Sequence, residues 1–284
     1  MIGQNILVFT KMHGAGNDYI YINAIAQPVA DPQKLAIRLS DRHFGIGGDG
    51  LVLIKPSRTA DFCMDMYNAD GSRGKMCGNA IRCVAKYVHD RRLTDKTTLE
   101  IETLSGIKQL QLQLDDNRKV ARVTVNMGAP LFTPADIPVR FAGDAMIEAP
   151  VEVGGQTYQL TSVSMGNPHT VIFTSDVNAL DLARIGPQFE HLPIFPDRVN
   201  TEFCEVIDRR TLRMRVWERG SGETLACGTG ACATLAAAVV TGRADRKARL
   251  ELTGGNLDIE WDEASGDLFM TGPAEFVFDG TVLL

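Results

Sequence analysis

The sequence has no surplus of positive charge: 29 Lys and Arg stand against 35 Asp and Glu, a formal net charge of −6. That balance offers no basic face for nucleic acid or anionic lipid, and leaves a small molecule as the expected partner. No run approaches the ~18 apolar residues of a membrane span. The opening stretch, Met1 to Leu7, lacks the charged n-region and long apolar h-region of a secretory signal, so a cytoplasmic location is expected. The six cysteines, at positions 63, 77, 83, 204, 227 and 232, show no C-x-x-C spacing. A chain this long does not need disulfide staples, so they read as reduced thiols.

What the sequence does contain is a repeat. Met76-Cys77-Gly78-Asn79-Ala80 and Ala226-Cys227-Gly228-Thr229-Gly230 each run through Cys-Gly into an apolar segment, and the two cysteines lie 150 residues apart. The same displacement carries Gly16-Asn17 onto Gly166-Asn167 and Tyr67-Asn68 onto Trp217-Glu218. So long a period argues for two domain-sized halves rather than a solenoid. With 284 residues and 44% hydrophobic content the chain can bury a sizeable core, and two domains fit its length.

Each cysteine precedes a helix-like stretch. Ile81, Val84, Ala85 and Val88 keep an i, i+3, i+4, i+7 stripe, whereas Ala231 to Val240 is nearly all small and apolar and predicts a helix buried on every side. A helix start stabilises anions and can lower a thiol pKa to roughly 3.5–7.5, which makes Cys77 and Cys227 candidate reactive thiols. A thiolate facing a thiol suits a cofactor-free racemase: one removes the Cα proton and the other protonates the opposite face. The first-turn N–H groups of Gly78, Asn79, Gly228 and Thr229 would then stabilise the carbanion's carboxylate, each contributing ~3 kcal/mol at the transition state. Burial as small hydrophobes is the commoner fate of free cysteines and is the reading for Cys63, Cys83, Cys204 and Cys232. The matched Cys-Gly turns set the other two apart.

Taken in order, Leu7 to Phe9 and Tyr19 to Asn23 read as strands around a loop from Lys11 to Asp18. Pro32 to Arg42 reads as a helix with Asp31 as N-cap. Gly45-Ile46-Gly47-Gly48-Asp49-Gly50 satisfies G-x-G-x-x-G but leads from a helix into a strand, the reverse of the dinucleotide context, so no nicotinamide or flavin site is expected. Strands follow over 63–67, 99–105, 109–114 and 120–126, then 158–163 and 170–173, with a short helix at 182–185 capped by Asp181. Asn68 begins a polar loop before Cys77, and Asn17 and Asn167 share a repeat position that favours ligand contact over mere turn closure. His169 follows that second Asn and could support a neighbouring thiol by accepting its proton. Glu218-Arg219, nine residues before Cys227, suit a ligand that carries both ammonium and carboxylate groups.

These motifs resemble the diaminopimelate epimerase family. The likeness rests on Met76 to Arg82 and on Glu218 to Gly230, and extends through His13 to Asp18, Asp41-Arg42, Met165 to His169 and Arg198-Val199-Asn200. It implies an α/β (α+β) fold of two pseudo-symmetric domains, each a mixed β-sheet or barrel wrapped around a central helix. The implied domains are 1–127 plus 273–284, carrying Cys77, and 128–272, carrying Cys227. The implied reaction interconverts LL- and meso-2,6-diaminopimelate for lysine and peptidoglycan precursor synthesis, with no cofactor or metal. Cys77 and Cys227 would be catalytic. Asn17, Asn68, Gly78, Asn79, Asn167, Asn200, Glu218, Arg219, Gly228 and Thr229 would bind substrate, with His169 and Glu218 in support. The resemblance also implies a homodimer whose interface the sequence does not define. It departs at Gly50, where some family members carry glutamine, so one polar ligand contact is expected to be missing. Two alternatives share the residues: a proline, hydroxyproline or histidine racemase of the same fold, and a thiol redox protein in which Cys77 and Cys227 form a switchable disulfide.

Overall fold

A helix apolar on all sides has no face for water and must be enclosed. Gly228–Val240 is such a segment, and Gly230 through Ala238 are buried along it. The computed structural model describes residues 6–284; residues 1–5, where the N-terminal reading begins, lie outside them. The chain packs as two compact units, Met1–Val125 with Gly272–Leu284, and Asn126–Thr271, each holding one thirteen-residue helix that is buried along most of its length. Among the described residues no helix is long and apolar enough to cross a membrane.

The first unit runs β1 (Ile6–Gly14), β2 (Asn17–Asn23), α1 (Pro32–Ser40), β3 (Gly50–Lys55), β4 (Phe62–Asn68), β5 (Arg73–Gly74), α2 (Gly78–Asp90), β6 (Thr98–Thr103), β7 (Gly106–Leu114) and β8 (Val120–Gly128). Pairing is antiparallel except β2 with β3 and β4 with β6, which are parallel. Helix α2 packs on one face of the sheet against β1, β2 and β7. On another layer α1 sets Leu35, Ala36 and Leu39 against Ile20, Ile22, Leu51 and Leu53. Covered on both faces, β3 reads as the unbroken apolar run Leu51 to Ile54.

The second unit runs β9 (Ala149–Val153), β10 (Gln156–Ser164), β11 (Pro168–Thr174), α3 (Leu182–Glu190), β12 (Asn200–Asp208), β13 (Thr211–Glu218), β14 (Gly222–Thr224), α4 (Gly228–Val240), β15 (Lys247–Leu252), β16 (Gly255–Trp261) and β17 (Leu268–Gly272). Here the parallel pairs are β11 with β12 and β13 with β15. Helix α4 touches six strands, β10 to β13, β15 and β16. On the outer layer Phe189 of α3 meets Phe203 and Tyr158 edge-on, with centroids 5.4 and 5.0 Å apart. The last strand, β18 (Glu275–Leu283), returns to the first unit and pairs antiparallel with β1.

The repeat reaches down to hydrogen-bond register. Tyr19 faces Gly50 and Leu51 faces Tyr67 in the first unit, while His169 faces Asn200 and Thr201 faces Trp217 in the second, every residue displaced by 150. Helices α2 and α4 begin and end at the same repeat positions.

Three local expectations need correction. The loop expected between Lys11 and Asp18 is a hairpin that closes on two residues, Ala15 and Gly16, with φ of 52° and 82° and Gly14 facing Asn17. Positive φ at both central positions is the turn that matches strand twist. Its counterpart between β10 and β11 has one residue more, with Ser164 facing Pro168. The helix expected over 182–185 continues through Gly186-Pro187 to Glu190. Packing decides this: a Cβ on residue 186 would lie 2.3 Å from the Trp217 ring, and Ile185 and Phe189 are buried. The helix expected to reach Arg42 ends at Ser40, because Asp41 adopts an extended ψ of 123°.

The buried charge of α2 is a brace. Arg82 is 0% exposed, and its guanidinium donates to the carbonyls of Gly78 and Pro273 and to Asn79 Oδ1, each at 2.9–3.0 Å. It thereby ties the first turn of α2 to the segment that leads into β18. Arg82→Met keeps the bulk but strands those acceptors in the interior. A loss of roughly 3 kcal/mol is expected, read as a lower urea midpoint, and an unchanged midpoint would remove Arg82 from this role.

Candidate active site

Both cysteines are helix N-caps. Cys77 (φ −138°, ψ 119°) and Cys227 (φ −120°, ψ 112°) are extended, and their sulfurs accept from Ala80 N at 3.5 Å and Gly230 N at 3.3 Å. The role belongs ordinarily to Ser, Thr, Asp or Asn. Gly78 and Asn79 are then the first residues of α2, and Gly228 and Thr229 those of α4, where N–H groups precede the helix's own hydrogen-bond ladder.

In the first unit the tight hairpin delivers Asn17 to the thiol, with Cys77 Sγ 3.3 Å from Asn17 Oδ1. The other end of that amide donates to Asp49 Oδ2 at 2.6 Å, and Arg42 binds both Asp18 and Asp49. Asn68 sits at the end of β4 and donates to Ser72 Oγ at 2.9 Å. Gly50 lies between Tyr19 and Asn68. A Cβ there would fall 2.1 Å from Tyr67 O and 2.8 Å from the Tyr19 ring, so the site lacks room for a side chain, beyond lacking a polar contact.

In the second unit Cys227 lies 3.5 Å from Thr229 Oγ1. The expectation of a lowered thiol pKa fails here. Burial pushes the Cys227 thiol well up, the Glu218 and Glu202 carboxylates push it further, and the bonds from Thr229 and Gly230 oppose them without prevailing. The helix dipole acts at one end turn only, whereas desolvation and two carboxylates act on the sulfur together. Glu218 is itself raised by burial, against hydrogen bonds from Thr224 and Cys227. Burial likewise raises Cys83, to about 11, and Cys204, in keeping with a packing role.

Around Cys227 the unit builds a polar cluster. Asn167 Nδ2 donates to Thr229 Oγ1 at 3.3 Å, and Asn167 Oδ1 lies 3.0 Å from His169 Nε2. His169 Nδ1 lies 2.7 Å from Glu202 Oε1, and both side chains are fully buried. His169 is thus no surface histidine, and its two nitrogens are turned to Asn167 and Glu202. Asn200 donates to Pro168 O at 2.8 Å and accepts from the Arg219 backbone at 3.0 Å, which sets where Glu218-Arg219 leave β13. Glu218 and Arg219 turn to different partners, Thr224 and the carbonyl of Asp197.

Two acidic residues carry no signal in the sequence analysis. Glu190 accepts from Trp217 Nε1, Gly220 N and Arg198 Nη1 at 2.8–3.0 Å and pins the turn after Arg219. Burial would raise its carboxyl, but those donors hold it below the usual range. Glu202 occupies a β-strand position whose repeat partner is Val52, so no matched pair could mark it.

The sequence matches the diaminopimelate epimerase family over residues 9–133 and 161–277. It is 56% identical over 274 residues to the diaminopimelate epimerase of Acetivibrio thermocellus, covering 96% of this chain and 98% of that protein. The identity is 53% to the diaminopimelate epimerase of Methanococcus maripaludis, over 96% of this chain and 99% of that protein. Among solved structures, a phenazine biosynthesis protein of the PhzF family from Bacillus anthracis superposes with a TM-score of 0.72 at 18% identity, covering 99% of this chain and all of that one. A hydroxyproline epimerase from Agrobacterium vitis does so at 0.68 and 14%, covering 98% of this chain and 91% of that one. The distant structures share the fold, and the residues matched to the family include both cysteine motifs: the chain belongs to the diaminopimelate epimerase family.

Proposed function

We propose that this isomerase interconverts LL- and meso-2,6-diaminopimelate by two-base chemistry, with Cys77 and Cys227 as the acid and base. The observation that carries it is the placement of a cysteine sulfur at the N-cap of the enclosed helix in each unit, at the same repeat position. One thiolate takes the Cα proton, the other thiol returns a proton to the opposite face, and reversal exchanges the roles. Charge developing on the substrate carboxylate is met by the first-turn N–H groups of Gly78, Asn79, Gly228 and Thr229. A raised Cys227 pKa suits a thiol that waits to donate, and Glu218 beside it is the group that can take up the proton. Asn17, Asn68, Asn167, Asn200 and Arg219 hold the substrate's two amino-acid heads, with His169 in support. The family match supports this substrate over the proline-type substrates handled on the same fold. The reading includes a cytoplasmic homodimer, supported by the family resemblance.

Cys77→Ser and Cys227→Ser should each abolish epimerisation, because a serine hydroxyl is too weak an acid to supply a resident base. Each variant should still eliminate halide from one stereoisomer of a β-halogenated substrate analogue, in opposite senses, since elimination needs only the first proton transfer. Near-normal epimerisation in either variant, or the same isomer eliminated by both, rules out the two-thiol assignment.

Glu218→Gln removes a carboxylate that raises the Cys227 thiol. The pH profile of Cys227 alkylation, followed by peptide mass spectrometry, should therefore move to lower pH. A profile that stays or moves upward shows that Glu218 does not set the charge at this sulfur.

A further inference from the structure

An amide side chain has one donor end and one acceptor end. With its Nδ2 on Thr229 Oγ1, Asn167 offers only its oxygen to His169 Nε2, so that nitrogen carries a proton. The other ring nitrogen, Nδ1, then shares its proton with the Glu202 carboxyl. Because Thr229 accepts from the amide, its own proton is left for the Cys227 sulfur 3.5 Å away. The four links form a directed chain. We infer that Glu202 is a positioning residue, which through His169 and Asn167 fixes the Thr229 hydroxyl as a hydrogen-bond donor to the Cys227 sulfur.

A purely structural role for the buried pair is the competing account, since His169 and Glu202 sit on the paired strands β11 and β12. The first unit argues against it. There the same parallel pairing of β2 with β3 is held with Tyr19 and Val52 at the matching positions, so the fold does not require a charged pair. Two observations place a function on the carboxyl instead. Glu202 Oε2 is buried without a hydrogen-bond partner among the described residues, as an orphan that packing alone does not explain. Residue 230 is glycine where a Cβ would lie 2.6 Å from Glu202 Oε1, which leaves the carboxyl space against the first turn of α4. The first unit also shows the opposite polarity: Asp49 draws the Asn17 donor end away, so the amide oxygen faces Cys77.

The catalytic meaning of this chain rests on reading Cys227 as a reacting thiol, but its test does not need turnover. In the full-length protein, alkylation of Cys227 by iodoacetamide at fixed pH is followed by peptide mass spectrometry for Glu202→Leu, Thr229→Val and the double variant. Thr229→Val should slow alkylation and Thr229→Ser should return most of the rate. Removing Glu202 should change the rate by a factor that differs at least about threefold between the parent protein and the Thr229→Val variant, the signature of coupled sites. If Glu202 acts by charge or packing alone, that factor is the same in both backgrounds and the inference is overturned. Should Glu202→Leu fail to fold by circular dichroism, Glu202→Met enters the same cycle, because the thioether keeps the bulk but offers Nδ1 no oxygen or N–H partner. Thr229→Val should also lower kcat about tenfold with KM little changed. Loss of activity in Cys227→Ser together with an uncoupled cycle would uphold the thiol and reject the chain; the converse pair of results would do the reverse.

Discussion

A buried helix must satisfy the N–H groups of its first turn, and in both units the side chain that does so is a cysteine sulfur. Much else follows from that choice. The extended backbone of an N-cap turns the sulfur toward the helix start, among donors that favour negative charge. The Cys227 sulfur is also withdrawn from water, which favours the neutral thiol, whereas Cys77 is only half-buried. At Cys227 the second effect wins, because two carboxylates add to it. A thiol whose two protonation states are pulled in opposite directions by strong local forces is suited to holding a proton and to receiving one.

The two units solve the same packing problem with different polar residues. Their strands agree in register and their helices in length, yet Tyr19, Gly50, Val52 and Asn68 of the first unit stand where His169, Asn200, Glu202 and Glu218 stand in the second. The apolar frame has been kept and the polar lining has diverged.

Much of this was legible before any coordinates. The helices after Cys77 and Cys227 and the caps Asp31 and Asp181 rest on local patterns, and the 150-residue displacement on a comparison of the two halves; the structure reproduces them all. What was not legible depends on contacts distant in sequence. Gly186-Pro187 looks like a helix end until Trp217 is seen filling the space beside it. The Ala15-Gly16 turn was hidden because alanine at positive φ carries no signature. Glu202 reads as one charge in a strand until it proves to be fully buried against His169. The raised thiol of Cys227 needed the positions of two carboxylates that no spacing rule supplies.

The strand that closes the first unit is the last in the chain, for β18 pairs with β1 along nearly its whole length. During synthesis β1 emerges first and waits for a partner some 270 residues downstream, a delay on the order of 15–50 s at ordinary translation rates. The second unit, continuous from Asn126 to Thr271, has every one of its own strands before then. The half that is translated second is therefore the half that can finish first, while the earlier one exposes an open strand edge to chaperones and neighbouring chains until β18 has been made.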